Sequence, residues 1–313
     1  MSSSLKINHT LNLASDISVN LVVAKSLLEG YDMSTVYMLT ELEGYEGNVA
    51  GQSTIFTLYP VEQGNYYYFT LEGLTAVRMN DRIRSVLHGV KDGQAYYSPV
   101  DDYSVADYAY SQMSRATTAP SLKTLCADLL RYGSAAQIYK KYRTDHLANS
   151  SMTDTYRGYL SDISAVSFGS TNTVLSDMDT PAINWIGKSL ELNSKVALKF
   201  IFSLENYAGD VSDLELEISY IDRTGATQTI RISDAEVYGT IANRYSFTFD
   251  GLLASELRTV ISVRVCVGDT YLSRTLQYSA DTYGSNKTGE LGDLCKALFA
   301  YSDSAKAYFP GNN

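Results

Sequence analysis

The chain has little of what enzyme and metal chemistry is built from. Its 313 residues include three histidines, three cysteines, one tryptophan and five prolines. Cys126, Cys266 and Cys295 form no Cys-x-x-Cys pair, so neither a zinc site nor a disulfide framework is expected. Five prolines are too few for a proline-rich linker. No stretch of about 18 apolar residues occurs, which argues against a membrane-spanning helix. The opening residues Met1 to Lys6 lack the apolar core of a signal peptide. The chain is then either cytosolic or a piece of a longer protein, and the second is preferred because a strand-like pattern opens almost at once. The formal net charge is −10 with no basic patch in view, which excludes nucleic acid as an expected partner. Acidity suits solubility and is compatible with an extracellular setting.

Tyrosine and repetition are what the chain does have. There are 26 tyrosines against 9 phenylalanines, as suits half-buried strands with an apolar ring and a wet hydroxyl. The stretch from Thr10 to about Tyr142 returns between Ser189 and Phe309. Leu11, Leu13, Ser15, Ile17, Val19 and Leu21 match Leu190, Leu192, Ser194, Val196, Leu198 and Phe200. Tyr67, Phe69, Thr70, Gly73 and Leu74 match Tyr245, Phe247, Thr248, Gly251 and Leu252. Tyr103, Ser104 and Tyr108 match Tyr278, Ser279 and Tyr283, and Leu125, Cys126, Leu129, Tyr132, Ala136 and Tyr139 match Leu294, Cys295, Leu298, Tyr301, Ala305 and Tyr308. The offset falls from 179 to 169 along the chain, as it would if loops shorten while elements keep their order. Two copies of one module follow, divided as residues 1–149 and 150–313.

Within a copy the apolar period is first two, then near 3.6. Ile17, Val19, Leu21 and Val23 alternate with their neighbours, as do Val196, Leu198 and Phe200. Hairpins are expected at Asp92-Gly93, at Asp222 to Gly225 and at Gly268-Asp269. Gly73 and Gly251 suit turns with positive φ. The spacing Leu125, Leu129, Tyr132, Ala136, Tyr139 is that of an amphipathic helix of about four turns, started by Pro120 and Ser121. Each copy thus reads as six or seven strands and one helix. The fold class is mainly β with α: two tandem antiparallel β-sandwich (Ig-like) modules, each closed by a C-terminal amphipathic helix that packs on the sheet or against the neighbouring module. Cys126 and Cys295 fall beside the apolar stripe and are expected as buried free thiols. Between the copies, residues 143–188 carry Leu160, Ile163, Val166 and Phe168, too apolar for a free tether, and a short strand there would open the second sandwich with Trp185 near its end.

Chemistry is thin. His9, His88 and His146 belong to no Ser-His-Asp set that recurs in both copies, and Gly-x-Ser-x-Gly is absent. His88 shares a strand face with Val86 and Val90 and reads as a satisfied, partly buried side chain. The carboxylate pairs Asp101 with Asp102, Asp177 with Asp179 and Glu41 with Glu43 read as solvated charges rather than glycosidase pairs. No cofactor is expected. A structural calcium is the one metal considered, with Asp177-x-Asp179 the nearest thing to a calcium loop, although it lacks the glycine and distal glutamate of an EF-hand. The remaining candidates are aromatic. Tyr66, Tyr67, Tyr68, Tyr96 and Tyr97 crowd two strands read as neighbours, and since alternate residues face opposite ways, some rings stay exposed for sugar stacking or a protein interface.

The Ser189-Leu190-x-Leu192 strand, the Tyr-rich strand ending in Gly73, the Tyr103-Ser104 segment and the helix run Leu130-Arg131-Tyr132-Gly133-Ser134-Ala135-Ala136-Gln137 resemble a module of large secreted and cell-surface proteins of gut Firmicutes. Tyr142, Asp145, Leu147, Ala148 and Asn149 after the helix are similar too, as are Trp185 and Gly187 before the second entry strand. Copy two departs at Ser302, Ser304 and Lys306, where copy one has Gly133, Ala135 and Gln137. The resemblance implies a secreted, wall- or cellulosome-associated accessory module and brings no catalytic residues. The expected function is a non-catalytic extracellular spacer or interaction module. The alternatives are a carbohydrate-binding module using exposed tyrosines of copy one and, last, a glycoside-active enzyme. Expected partners are a polysaccharide or another surface protein.

Overall fold

The computed structural model describes residues 6–13, 17–192 and 196–309. Ser15 and Ser194, paired in the internal match, lie outside the described residues, as do Met1–Leu5. Two compact units divide the chain, Met1–Ser161 and Asp162–Asn313.

In the first unit the strands are β1 (Asn8–Asn12), β2 (Ile17–Ala24), β3 (Tyr31–Leu42), β4 (Tyr45–Glu46), β5 (Val49–Ala50), β6 (Thr54–Leu58), β7 (Val61–Gln63), β8 (Tyr66–Leu74), β9 (Ile83–Lys91), β10 (Gln94–Tyr97) and β11 (Asp101–Tyr103). Helices α1 (Val105–Ser114), α2 (Pro120–Lys140) and the single turn α3 (Asp154–Arg157) follow. One antiparallel sheet has the order β1-β2-β8-β7, the other β10-β9-β3-β6 with β11 also on β9. Alternation decides the inner faces: Val19, Leu21 and Val23 of β2, Phe69 and Leu71 of β8, and Val36 and Met38 of β3 are buried. The β9–β10 hairpin turns at Asp92-Gly93 with φ of 52° and 75°, the signature of a type I′ turn, in which both central residues are left-handed.

The second unit comprises β12 (Asn172–Val174), β13 (Asn184–Leu192), β14 (Val196–Ser203), β15 (Glu215–Ile221), β16 (Thr227–Ile232), β17 (Glu236–Val237), β18 (Arg244–Phe249), β19 (Ile261–Val267), β20 (Thr270–Tyr271), β21 (Leu276–Tyr278) and α4 (Gly289–Tyr308). Its sheets have the orders β13-β14-β18-β17 and β12-β21-β19-β15-β16, with β20 on β19. Strand for strand this follows the order of the first unit, with β12 added at one edge. Both units are thus mainly β and sandwich-like, and each carries a long helix after its strands, α2 in the first and α4 in the second. Trp185, near the end of the stretch 143–188, sits at the start of β13; its indole nitrogen donates to Arg274 O at 2.8 Å and its ring meets Phe200 and Phe202 edge-on.

Several local expectations needed correction. The Tyr103-Ser104 segment opens a helix, α1, which Ser104 caps by accepting from Asp107 N at 3.1 Å. In the second unit the matching stretch Ala280–Asn286 is a 3-10 helix. Gly73 has φ 70°, but Gly251 is not left-handed; a Cβ there would lie 2.5 Å from the Phe249 ring, so close approach is what requires glycine. Helix α2 packs mainly against α1 and the 3-10 turn Ala76–Arg78 rather than flat on a sheet. Gly133 permits this: an added Cβ would stand 2.5 Å from Met79 Sδ.

The boundary also moves. Residues 150–161, placed in the second module by sequence, belong to the first unit. The segment after α2 folds back and is fastened by buried polar groups. Gln137 Oε1 accepts from Ala148 N at 2.8 Å and its Nε2 donates to His146 O at 3.2 Å. Ser134 Oγ accepts from Asn149 N, and Asp128 accepts from Ser161 N and Arg131. Asp81, with its side chain fully buried, accepts from Arg78 Nε at 2.8 Å, Arg143 Nη1 at 3.1 Å and the Tyr142 hydroxyl. Arg143 in turn lies 3.9 Å over the Tyr45 ring.

Removing Asp81 would leave two guanidinium groups without their buried partner. Asp81→Ala should lower the unfolding free energy of the first unit by about 3 kcal/mol, read by urea titration. Cys126, Cys266 and Cys295 are all free and buried, and burial pushes the Cys126 and Cys295 thiols up to about 12 and about 11. A thiol reagent should therefore find almost no reactive cysteine in the native protein and all three in denaturant.

Candidate functional site

Burial fixes the inner face of each sheet, so differences in function must be sought on the outer faces. On the sheet β10-β9-β3-β6, Tyr97 lies opposite His88 and His88 opposite Tyr37. The Tyr37 and His88 rings stack at 4.5 Å and 25°, and the His88 and Tyr97 rings are tilted at 4.9 Å. Nδ1 of His88 donates to Thr35 O at 2.9 Å, which holds the ring in place. Beside this row, Leu39 lies opposite Val86, and Glu41 lies opposite both Ile55 and Arg84. Leu39, Ile55, Tyr97 and Val100 are 46%, 68%, 60% and 64% exposed. Leu39, Ile55, Val86 and Val100 with Glu41 and Arg84 line an open apolar cavity of about 260 Å³.

The five candidate tyrosines do not form one cluster. Tyr66, Tyr67 and Tyr68 lie on β8 in one sheet, whereas Tyr96 and Tyr97 lie on β10 in the other. Hairpin and sheet membership depend on long-range pairing, which the local tyrosine pattern does not carry. Tyr66 and Tyr68 share an outer face with the polar ladder Thr10–Asn20–Thr70, linked at 3.2 and 2.7 Å. Tyr67 points the other way, under Lys25. Tyr96 sits edge-on to Tyr31 at 5.9 Å. Of the five, Tyr97 alone joins the exposed row with His88. Tyr37, Leu39, Ile55 and Val100 were not singled out by sequence, and Val86 was named only as sharing the strand face of His88. The available signal was β3 itself, where Val36, Met38 and Leu42 fill one face and Tyr37 and Leu39 are apolar on the other.

The equivalent face of the second unit has opposite chemistry. Where the first unit has Tyr37, His88 and Tyr97, the register places Glu215, Cys266 and Tyr271; where it has Leu39 and Val86, it places Glu217 and Arg264. Glu217 accepts from the Tyr271 hydroxyl at 2.7 Å and from Arg231 Nη2 at 2.9 Å. The Tyr271 hydrogen bond is the main cause that holds the Glu217 carboxyl below its ordinary value of 4.5. Arg264 stands 4.5 Å over the Tyr271 ring and pairs with Asp177 at 2.8 Å. Hydrogen bonding from Thr275 is the first cause of a lowered Asp177 pKa.

The loop considered for calcium is filled by arginines. Asp177 serves Arg264 and Thr275, while Arg274 donates to Met178 O at 2.7 Å and Asp179 O at 3.2 Å. No group of three or more His, Cys, Asp or Glu side chains suited to a metal occurs among the described residues. The paired carboxylates meet cations: Asp102 meets Arg82, Glu43 meets Arg84 and Arg143, and Glu41, at the cavity lined by Leu39 and Ile55, lies 3.9 Å from Arg84. Asp101 bonds His9 Nε2 at 2.7 Å, and the His9 ring stacks on Tyr103 at 3.7 Å. The side chain of His146 is exposed and only its carbonyl takes part in the bonds described above. No helix among the described residues is long and apolar enough to cross a membrane.

No family model matches the chain, and no curated protein matches it. Two solved structures of a GH family 64 laminaripentaose-producing β-1,3-glucanase from Paenibacillus barengoltzii are similar at 8% identity and a TM-score of 0.22. The match covers 87% of this chain and 50% of the glucanase complexed with laminarihexaose, and 85% and 57% in the second structure. The chain spans about half the length of these structures, and a likeness this slight carries no argument about activity.

The Glu217 carboxylate has a sign that can be tested. A lowered folded-state pKa contributes stability that is present above the ordinary 4.5 and is lost as pH falls through the lowered value. Carboxyl-resolved NMR titration should show Glu217 ionising below its ordinary value. Tyr271→Phe, which removes the main hydrogen bond, should move that titration upward.

Proposed function

We propose that this chain is a non-catalytic interaction module of a larger secreted or cell-surface protein, and that it docks a protein partner through the outer face of the sheet β10-β9-β3-β6. The observation that carries this reading is the continuous apolar band on that face. It joins the Tyr37–His88–Tyr97 row to Leu39, Val86, Ile55 and Val100, while the register-equivalent positions in the second unit include the charged Glu215, Glu217 and Arg264. An apolar patch rimmed by Glu41, Arg84 and Asp102 suits a protein interface, which has an apolar centre and a polar margin.

Ring geometry separates this from sugar stacking on the same face. Neighbouring strands lie about 4.8 Å apart, and the Tyr37 and His88 rings stack on each other at 4.5 Å. Their faces are therefore turned toward one another across the strands, and ring edges meet the solvent. A sugar needs a free ring face, whereas a protein side chain packs equally well on edges and aliphatic carbons. Tyr66 and Tyr68, beside the Thr10–Asn20–Thr70 ladder, favour the second reading, a carbohydrate-binding face on the other sheet. The charge-paired carboxylates favour the non-catalytic role over an acid–base pair.

The test is retention of secreted and wall proteins from the producing cells, and of a panel of soluble and insoluble polysaccharides, on the immobilised chain. A discrete protein partner should be retained, and its affinity should fall at least about tenfold in Leu39→Asp/Ile55→Asp while Tyr66→Ala/Tyr68→Ala binds as before. Glycan retention lost in the tyrosine pair and kept in the Leu39/Ile55 pair would replace this reading with the carbohydrate-binding one. Turnover of a glycan by the isolated chain would overturn both.

A further inference from the structure

The second unit carries a cavity of about 300 Å³ on the outer face of the sheet β12-β21-β19-β15-β16. Its shape follows from side-chain length. Ser219 on β15 lies opposite Ser262 on β19, and Ser262 lies opposite Gln277 on β21. Two short hydroxyl side chains thus adjoin in one row, and the next row holds the much longer Glu217 and Arg264. The serines leave a trough; Glu217 and Arg264 form one wall, with Thr275 and Leu175 at its end.

The charges around the trough already satisfy one another. Arg264 is held by Asp177 and Thr275, and Glu217 by Arg231 and Tyr271. Their side chains are therefore fixed in place before any ligand arrives. By contrast, Ser219, Ser262 and Gln277 have no side-chain hydrogen-bond partner among the described residues. Two hydroxyls and an amide both donate and accept, so the unused capacity of the trough is neutral, bifunctional and arranged in a line across three strands.

We propose that this trough binds one residue of a neutral saccharide, with Ser219, Ser262 and Gln277 bonding ring hydroxyls. Glu217 and Arg264 flank the sugar as a preset acceptor and donor. Vicinal hydroxyls each offer a donor and an acceptor, the pattern that the row presents. A free anion would meet Glu217 and an arginine already neutralised by Asp177. A cation would find its carboxylates occupied, and an apolar ligand would strip water from two serines and an amide without replacing the hydrogen bonds. The volume falls at the small end of ligand sites, which suits a single residue of a chain or a free sugar. The inference concerns the second unit and stands independently of the docking role of the first.

Amide-resolved NMR of the intact chain, titrated with methyl glycosides of glucose, galactose, mannose, xylose and N-acetylglucosamine, tests it. Matching oligosaccharides distinguish a free sugar from a residue within a chain. One glycoside should bind with a dissociation constant on the order of 1 mM and shift Ser219, Ser262 and the Gln277 side-chain amide together. Gln277→Ala and Ser262→Leu should each weaken it about tenfold, with Leu39→Asp/Ile55→Asp unchanged. Gln277→Ala removes a surface amide without touching the core, so it keeps the test valid should Ser262→Leu unfold. No binding across the panel, binding that maps to Tyr66 and Tyr68, or binding only of a charged sugar such as glucuronate would each overturn the proposal.

Discussion

A carboxylate buried at the closing end of each sandwich is the constraint on which the remaining architecture hangs. In the first unit Asp81 lies in the β8–β9 connection and gathers Arg78, Tyr142 and Arg143, so that the chain leaving α2 is pinned to the turn on which α2 packs. In the second unit Asp281 accepts from Arg258 at 3.1 Å and from Gly169 N at 2.9 Å, and Arg258 continues to Asp303 on α4. A buried charge is costly alone and tolerable only when paired and hydrogen-bonded. Each aspartate therefore demands that helix, turn and flanking segment be present together. Apolar contact between α2 and the sandwich could slide; three directed bonds to one carboxylate fix its placement.

This requirement accounts for what the repeat pattern left obscure. The helix stripe Leu125, Leu129, Tyr132, Ala136 was readable because burial imposes its period, and the alternation in β2, β8 and β14 for the same reason. The departures of copy two at Ser302, Ser304 and Lys306 were readable as differences but not as causes. Gln137 and Ser134 hold the segment that folds back after α2, whereas Lys306 is exposed on α4. The motif of the first helix is thus partly a clasp for residues 142–161, and the domain boundary lies past that clasp. A boundary drawn at the end of the helix pattern misses it, since single polar anchors leave no periodicity.

The outer sheet faces were the least legible part. Period two says which residues share a face, but only the partner strands say what a face contains. The five tyrosines looked adjacent because β8 and β10 are both tyrosine-rich, yet pairing places them in separate sheets. The serine trough was invisible for a related reason. Ser219, Ser262 and Gln277 are ordinary residues on three strands, and their significance comes from alignment across the ladder and from the long neighbours that flank them.

The two units share one strand order and differ in their outer faces. The inner faces are constrained by packing: Phe69 and Phe247, or Leu21 and Phe200, can exchange apolar volume but not polarity. The outer faces carry no such constraint and have parted in chemistry. Cys266 and Arg264 stand in register where the first unit has His88 and Val86, and Glu217 where it has Leu39. On the second face Arg231 and the Tyr271 hydroxyl both donate to Glu217, Arg264 stacks over the Tyr271 ring and Arg264 donates to Asp177, and such a network fixes side chains that would otherwise sample many rotamers. A rigid polar face selects small ligands by hydrogen-bond geometry, and an apolar face tolerates only partners large enough to cover it. The pairing of one with the other in a single chain suits the proposed interaction module, with one face for a protein partner and one for a small ligand.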